Sequence, residues 1–543
     1  MSQIELYDTT LRDGAQREGI SFSVVDKLHI AQKLDELGVH FIEGGWPGSN
    51  PKDVEFFSKA QSLALSHSKL VAFGSTRRPK TKAEADANLL ALANAGVRVV
   101  TIVGKSSELQ VTQVLETTLE ENLSMIADSI GYLRTKGLTV FFDAEHFFDG
   151  FKANPSYALR VLEVAAEAGA SCLVLCDTNG GTLPNEITTA VKAARKLTTV
   201  PLGIHAHNDG ELAIANTLAA IDAGASQVQG TINGYGERCG NANLCSIIPA
   251  LKLKMGIDCV TDEQLARLTE VSRYVSEVAN LIPDAFLPYV GSSAFSHKAG
   301  LHVSGLTKWA ESYQHIDPTK VGNLPKVLVS ELSGKRNIIY KAKELGLDLP
   351  QQGKEAQKLL DQVKLLESRG FQYENAEASF ALLVHRAQPD YEPPFELIDF
   401  MVIVEKRRRP PTRKSEEALS EAVVKVRVGT EIMHTAAEGN GPVNALDEAL
   451  RKALLQFYPS LAQVRLVDYK VRILEESVGT ASQVRVLIES SDGVEEWRTV
   501  GSSTNIIEAS WLALADSLEY WLLKQGASRD KNSRCVKNQW GNQ

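Results

Sequence analysis

The sequence is poor in cysteine, in net positive charge and in long apolar runs. Its six cysteines in 543 residues include no CxxC pair, so a disulfide framework is excluded and the thiols are expected to be reduced and mostly buried. The formal net charge is −9. Nucleic acid binding requires a basic surface, so we expect no nucleic acid partner. No apolar run reaches about 18 residues and no leader pattern opens the chain, so we expect no membrane partner and a cytoplasmic location.

Short apolar runs recur along the first half of the chain, and amphipathic segments with helical spacing separate them. The eight runs lie at residues 4–11, 40–47, 69–75, 97–104, 138–146, 171–179, 201–209 and 226–234. Strand and helix alternating eight times predict an α/β fold of the (β/α)₈ TIM barrel type. In such barrels the active site lies at the carboxyl ends of the strands, and polar residues follow these runs.

The stretch "IHAHNDG" (204–210) places His205 and His207 two residues apart. In a strand such residues face the same way, so both imidazoles are expected to point into the barrel mouth. Buried, hydrogen-bonded histidines are the alternative, but carboxylates at neighbouring strand ends favour a divalent metal. Asp13 would be a third ligand, and Asn241 would supply a further oxygen.

Arg12, beside Asp13, forms either an ordinary ion pair or a site for a carboxylate substrate and a developing oxyanion. The three-ligand O,N site would leave positions at which a 2-oxo acid could chelate the metal and have its keto carbon activated. Such a site accepts Mg²⁺, Mn²⁺ or Zn²⁺.

The second half of the chain has a different organisation. A catalytic barrel at 1–260 is followed by helical connector subdomains at 261–404, an exposed linker at 405–418, a C-terminal domain at 419–525 and a tail at 526–543. Within the C-terminal domain, residues 423–455 and 483–518 repeat a strand, a turn and a helix. The repeat predicts a small α+β domain with internal pseudosymmetry, suited to dimerisation or effector binding.

Five motifs, "DTTLRDGAQ", "CDTNGG", "HAHND", "NGYGERCGNA" and "SSAFSHKAGLH", resemble the signatures of the α-isopropylmalate synthase family. That family includes homocitrate synthase and is related to hydroxymethylglutaryl-CoA lyase. The resemblance covers residues 4 to about 315, and the C-terminal repeat is similar to the family's regulatory domain. It implies a Claisen condensation of acetyl-CoA with a 2-oxo acid, followed by thioester hydrolysis, in amino-acid biosynthesis.

The resemblance also implies roles for individual residues. Metal ligands fall on Asp13, His205, His207 and Asn241. The positions that hold the 2-oxo acid are Arg12, Gln16 and Thr178. Glu145 matches an acidic catalytic position, while His302 and Tyr313 match residues supplied by the neighbouring subunit, which implies at least a homodimer.

Pyruvate is the favoured 2-oxo acid, because Asp143 is expected to bring charge toward the mouth, where a branched substrate would prefer an apolar wall. The resemblance also suggests an effector for the C-terminal domain, namely an end-product amino acid of the pathway such as isoleucine or leucine. The alternatives are a synthase for a larger 2-oxo acid, a retro-aldol acyl-CoA lyase, a metal-dependent hydrolase and a non-catalytic effector-binding scaffold. A lyase would not need the repeat domain, and a hydrolase would not need a carboxylate site.

Overall fold

A computed structural model describes residues 4–306, 308–330, 332–346, 355–389, 391–405, 419–474 and 481–526. Eight parallel strands close into a barrel in chain order. They are β1 Glu5–Asp8, β2 Phe41–Gly45, β3 Lys69–Ser75, β4 Val99–Lys105, β5 Thr139–Glu145, β6 Cys172–Asp177, β7 Leu202–Ala206 and β8 Gln227–Gly230. Seven lie within the predicted apolar runs and β4 extends one residue beyond its run, to Lys105, so the barrel prediction is confirmed.

Helices surround the barrel and follow the strands. They are α1 Val24–Glu36, α2 Pro51–Ala60, α3 Ala87–Ala93, α4 Leu119–Thr135, α5 Phe147–Ala153, α6 Pro155–Glu167, α7 Pro184–Leu197, α8 Ala213–Asp222, α9 Leu244–Pro249, α10 Asp262–Leu265 and α11 Leu268–Val278. Local sequence sets their ends. Ser23 and Asp26 form a capping box at the start of α1, and Gly38, at φ +84°, follows its end.

Bulky apolar side chains fill the barrel interior below the mouth. The buried inward-facing cluster comprises Tyr7, Phe41, Val71, Val99, Phe141, Cys172, Val174 and Cys176. The opposite faces of the strands pack against the helices in a larger core, to which Leu6, Ile42 and Phe142 belong. Because the interior is filled, the barrel is a packed core rather than a pore.

The described chain divides into two compact units, the first of which holds the barrel and extends to Phe295 with Gln314–Pro325 added. The second holds Ser296–Tyr313 and the described residues from Lys326 onward. Its elements are β9 Ser296–His297, α12 Gly300–Leu306, β10 Lys326–Val327, α13 Lys335–Glu344, α14 Glu355–Ser368, α15 Glu377–Arg386, β11 Glu396–Glu405, β12 Leu419–Val428, β13 Glu431–Gly439, α16 Pro442–Leu454, β14 Arg465–Ile473, β15 Val484–Ser491, β16 Glu496–Ser503 and α17 Ile506–Lys524.

The C-terminal part of this second unit repeats one pattern. Three antiparallel strands, β11 to β13, precede α16, and three more, β14 to β16, precede α17. Both helices contribute to one buried apolar cluster that includes Leu450 and Leu518. The predicted α+β domain with an internal repeat is therefore confirmed.

Two of the predicted segments fall on residues outside the described ranges, namely 406–418 of the linker and 527–543 of the tail. Five cysteines are described, all with free thiols, and Cys239 is the exposed one among them. None of the described helices combines the length and the apolar character needed to cross a lipid bilayer.

A buried ion pair fixes the turn that follows β2. Lys27 Nζ lies 2.5 Å from Asp53 Oδ1 and donates to the Gly44 carbonyl oxygen at 2.9 Å. Asp53 Oδ2 accepts from the Trp46 backbone N–H at 2.8 Å. Burial lowers the pKa of Lys27, while the charge of Asp53 opposes that shift. The pair therefore anchors the segment that carries Trp46 to the barrel mouth.

We expect Asp53→Ala to destabilise the barrel by about 3–5 kcal/mol, because it leaves the Lys27 ammonium buried without a counter-charge. Urea unfolding of the variant measures the loss. Adding Lys27→Met, which removes the stranded charge, should restore at least about half of it. A double variant as unstable as Asp53→Ala alone would show that the charge is not the cause.

Candidate active site

Asp13, His205 and His207 converge at the carboxyl end of the barrel. His205 is the penultimate residue of β7, and His207 follows the strand, bridged to Asn241. Asp13 lies five residues beyond the end of β1, in the loop rather than at the strand end itself. His205 Nε2 lies 3.4 Å from His207 Nε2 and 3.5 Å from Asp13 Oδ2. All three side chains are buried.

The donor set fits a divalent cation. Atoms bound about 2.1 Å from one ion lie about 3.0–3.4 Å from each other, close to the separations at His205 Nε2. Asn241 Nδ2 lies 3.1 Å from His205 Nε2 and 3.3 Å from Asp13 Oδ2. Asn241 Oδ1 is buried without a hydrogen-bond partner, and turning the amide over would present this oxygen to the same point.

Small side-chain shifts are needed to complete that geometry. Across the described residues, no group of three or more His, Cys, Asp or Glu side chains is already arranged to hold a metal ion. One oxygen of Asp13 is taken by Arg12. A Cβ on Gly236 would overlap Asn241 Oδ1, so glycine at that position gives the amide its room.

Protonation at neutral pH suits the same role. Burial and the neighbouring His205 lower the pKa of His207 to about 4. Burial acts to raise the pKa of Asp13, but the charges of Arg12 and the two histidines bring it below its ordinary value. A histidine must be neutral and a carboxylate must be ionised to bind a metal ion. His207 and Asp13 meet these conditions.

Arg12 lies between two carboxylates beside this cluster. Its Nε donates to Glu43 Oε1 at 2.6 Å, its Nη1 donates to Asp13, and its guanidinium carbon lies 3.8 Å from the centre of the Phe73 ring. Glu43 Oε2 in turn accepts from the Tyr7 hydroxyl at 2.5 Å. The guanidinium is held in place by the two carboxylates and by stacking on Phe73. It has further N–H groups with which to bind an oxyanion.

A cavity of about 430 Å³ opens above these residues. It gathers most of the residues predicted for the site, namely Arg12, Asp13, Gln16, Glu145, Thr178, His205 and His207. Trp46 and Phe73 add aromatic wall. His302 and Tyr313 belong to the second unit, where their rings stack 4.3 Å apart.

Lys105 lines this cavity, but its role was not predicted from the sequence. It pairs in register with Glu145 across β4 and β5, and its ammonium forms an ion pair with that carboxylate. Both line the cavity. The sequence does contain a signal for this pair: Lys105 and Glu145 are the last residues of adjacent parallel strands.

Thr178 is held from both sides. Its hydroxyl accepts from the backbone N–H of His146 at 2.9 Å, and His146 has a φ of 57°. Its carbonyl accepts from Arg238 at 2.8 Å, while Arg238 also forms an ion pair with Asp209 at 2.7 Å. These contacts fix the loop after β6 at the edge of the cavity.

Asp143 lies where burial disfavours the negative charge expected from its residue type. Burial and the nearby charge of Glu43 raise its pKa well above the ordinary value, which favours the neutral acid. The side chain does line the cavity. The wall is therefore polar here, and desolvation, which residue type alone does not reveal, opposes the negative charge expected at the mouth.

Three family models match successive parts of the chain. Residues 3–275 match the HMGL-like family, residues 289–370 match the homocitrate synthase post-HMGL domain-like family, and residues 374–522 match the LeuA allosteric (dimerisation) domain. Among solved structures, the HMG-CoA lyase from Brucella melitensis aligns with 52% of this chain and 100% of its own, at 19% identity and a TM-score of 0.44.

Relatives match over nearly the full length. The chain is 55% identical to the (R)-citramalate synthase of Geobacter sulfurreducens, over 96% of this chain and 98% of that protein. It is 52% identical to the (R)-citramalate synthase of Aquifex aeolicus, with the same two coverages. A probable 2-isopropylmalate synthase of Methanopyrus kandleri is 31% identical over 94% and 96%. The resemblance seen in the motifs is thus confirmed, and the chain belongs to the (R)-citramalate synthase family, with an HMGL-like barrel.

Proposed function

We propose that this chain is an acyltransferase that condenses acetyl-CoA with pyruvate and water and releases (R)-citramalate and CoA, a reaction that serves isoleucine biosynthesis. The observation that carries the proposal is the convergence of Asp13, His205 and His207 beside Arg12. The relatives named (R)-citramalate synthase support the choice of substrates.

In this proposal Asp13, His205 and His207 hold a divalent cation, and Asn241 supplies a further oxygen. When bound, Mg²⁺, Mn²⁺ or Zn²⁺ acts as a Lewis acid toward the keto group of the 2-oxo acid. The cavity beside these ligands lets the substrate reach the cation.

Arg12, Gln16 and Thr178 bind pyruvate. Arg12 stabilises the oxygen that becomes an alkoxide, because a fixed guanidinium acts most strongly where negative charge develops. Gln16 and Thr178 hold the carboxylate and so orient the keto carbon for attack.

A base removes a proton from the acetyl methyl group, and the resulting carbon nucleophile forms a bond to the keto carbon of pyruvate. Glu145, held by Lys105, and His302 are the candidates for the base, with Tyr313 beside His302. Such a base contributes about 10²- to 10⁴-fold, so positioning and charge stabilisation supply most of the acceleration. Water then cleaves the thioester C–S bond and CoA leaves.

The active form in this proposal is a homodimer in which His302 and Tyr313 act at the partner's barrel. The match to a dimerisation domain supports association through the C-terminal repeat. An amino-acid effector, isoleucine or leucine, binds that domain, and the enzyme works in the cytoplasm.

Replacing His205 or His207 by alanine should weaken Mn²⁺ binding to the metal-free chain by more than about 100-fold, beyond the loss typical of residues that only orient a ligand. Titration calorimetry gives the affinity, and thiol release from acetyl-CoA with pyruvate should be lost in parallel. His29→Ala, at an exposed position of α1, is the control and should bind as the unaltered chain does. Retained affinity in both histidine variants would contradict the ligand assignment.

Pyruvate should exceed 2-oxobutyrate in kcat/KM by about 10- to 200-fold, because one extra methylene in a fitted pocket costs about 1–3 kcal/mol. Free thiol is followed with each 2-oxo acid, and mass spectrometry identifies the acid formed. Preference for 2-oxoisovalerate would make the chain a 2-isopropylmalate synthase. No thiol release with any 2-oxo acid would favour a lyase.

Mixing inactive His205→Ala and His302→Ala chains should restore activity if each site combines residues of two subunits. Random exchange makes about half of the dimers mixed, each with one complete site, so about a quarter of full activity is expected. Thiol release after subunit exchange measures it. A mixture as inactive as its components, once exchange is demonstrated with differently tagged chains, would place His302 in its own subunit's site.

A further inference from the structure

His205 has a buried hydrogen-bond partner on the neighbouring strand. Gln229 of β8 is its register partner across β7 and β8, and Gln229 is fully buried. The amide oxygen Oε1 of Gln229 lies 2.9 Å from His205 Nδ1. This contact is on the side of the ring away from Asp13 and His207, which lie near Nε2.

The opposite side of the Gln229 amide meets two oxygens. Its Nε2 donates to Asp143 Oδ1 at 3.4 Å and to Gln227 Oε1 at 3.5 Å. Reversing the amide would set the Gln229 oxygen against the Gln227 oxygen and would leave His205 Nδ1 facing an NH₂ group. In the observed orientation Gln229 Nε2 meets two acceptor oxygens and Oε1 is directed at His205 Nδ1.

An amide oxygen only accepts hydrogen bonds, so His205 Nδ1 must carry the proton. In the neutral ring the lone pair is then on Nε2, the atom that faces Asp13 and His207. We propose that Gln229 is a positioning residue that fixes this tautomer and the ring orientation of His205 for the divalent cation. The inference rests on the proposed metal site and adds to it the residue that prepares one of its ligands.

Metal-bound histidines often donate to a carboxylate. In this barrel interior a neutral amide suits the position better. Glu43 and Asp143 already place two acidic groups in the same interior, and burial raises the pKa of both. An amide supplies the acceptor without adding negative charge. Without an acceptor at Nδ1, the proton could move to Nε2 and would then face the cation.

The test is titration calorimetry of metal-free full-length protein with Mn²⁺ and with Zn²⁺. Gln229→Met, which keeps the volume but removes the acceptor, should weaken both affinities by about 10- to 100-fold. Gln229→Glu, which keeps an acceptor oxygen for His205 but adds an acid to this interior, should recover part of the affinity that Gln229→Met loses. The unfolding temperatures of the metal-free proteins are measured alongside.

Two further variants separate the possible failures. Cys172→Ala changes the same buried interior at a residue outside the hydrogen bonds of Gln229 and should lower affinity by less than about threefold. Three results would each overturn the inference while leaving the metal site intact: a Gln229→Met protein that binds normally, a Gln229→Glu protein as weak as Gln229→Met, or a Cys172→Ala protein equally weak. Normal binding by His205→Ala would instead overturn the metal site and the inference with it.

Discussion

The buried contact of Arg12 with Asp13 and Glu43 is the constraint on which the barrel mouth depends. Removing two carboxylates from water is unfavourable unless a cation compensates them, and the guanidinium touches both. Asp13 therefore stays ionised, while Glu43, farther from solvent, has a raised pKa. Stacking on Phe73 holds Arg12 in place. Arg12 thus keeps Asp13, the proposed metal ligand, ionised and also lines the cavity.

Much of this arrangement follows from periodicity alone. Parallel strands with alternating side chains bring every carboxyl end to one face, so residues at the ends of distant runs become neighbours. That reasoning placed Asp13 and His205, more than 190 residues apart in the chain, next to each other. The same rule aligned His205 with His207. Eight apolar runs of ordinary strand length were enough to fix the architecture.

Other features depend on information that periodicity does not carry. The pairing of Lys105 with Glu145 and of His205 with Gln229 requires the strand register, which no single run specifies. The protonation of Asp143 depends on desolvation by the whole barrel interior. Residue type suggested a charged wall, whereas burial favours a neutral acid. His302 and Tyr313 belong to a separate compact unit, a division that local pattern does not specify.

Asp143 connects the two functions of the mouth. It lines the cavity that would receive the 2-oxo acid, and it accepts from the amide that in turn contacts His205. A change in the polarity of this wall would therefore be transmitted through Gln229 to His205, the proposed metal ligand. Because the interior is close-packed, such a change cannot be absorbed by free movement of the amide. If the proposed metal site and the role of Gln229 hold, substrate choice and metal binding are coupled through three adjacent side chains on β5, β7 and β8.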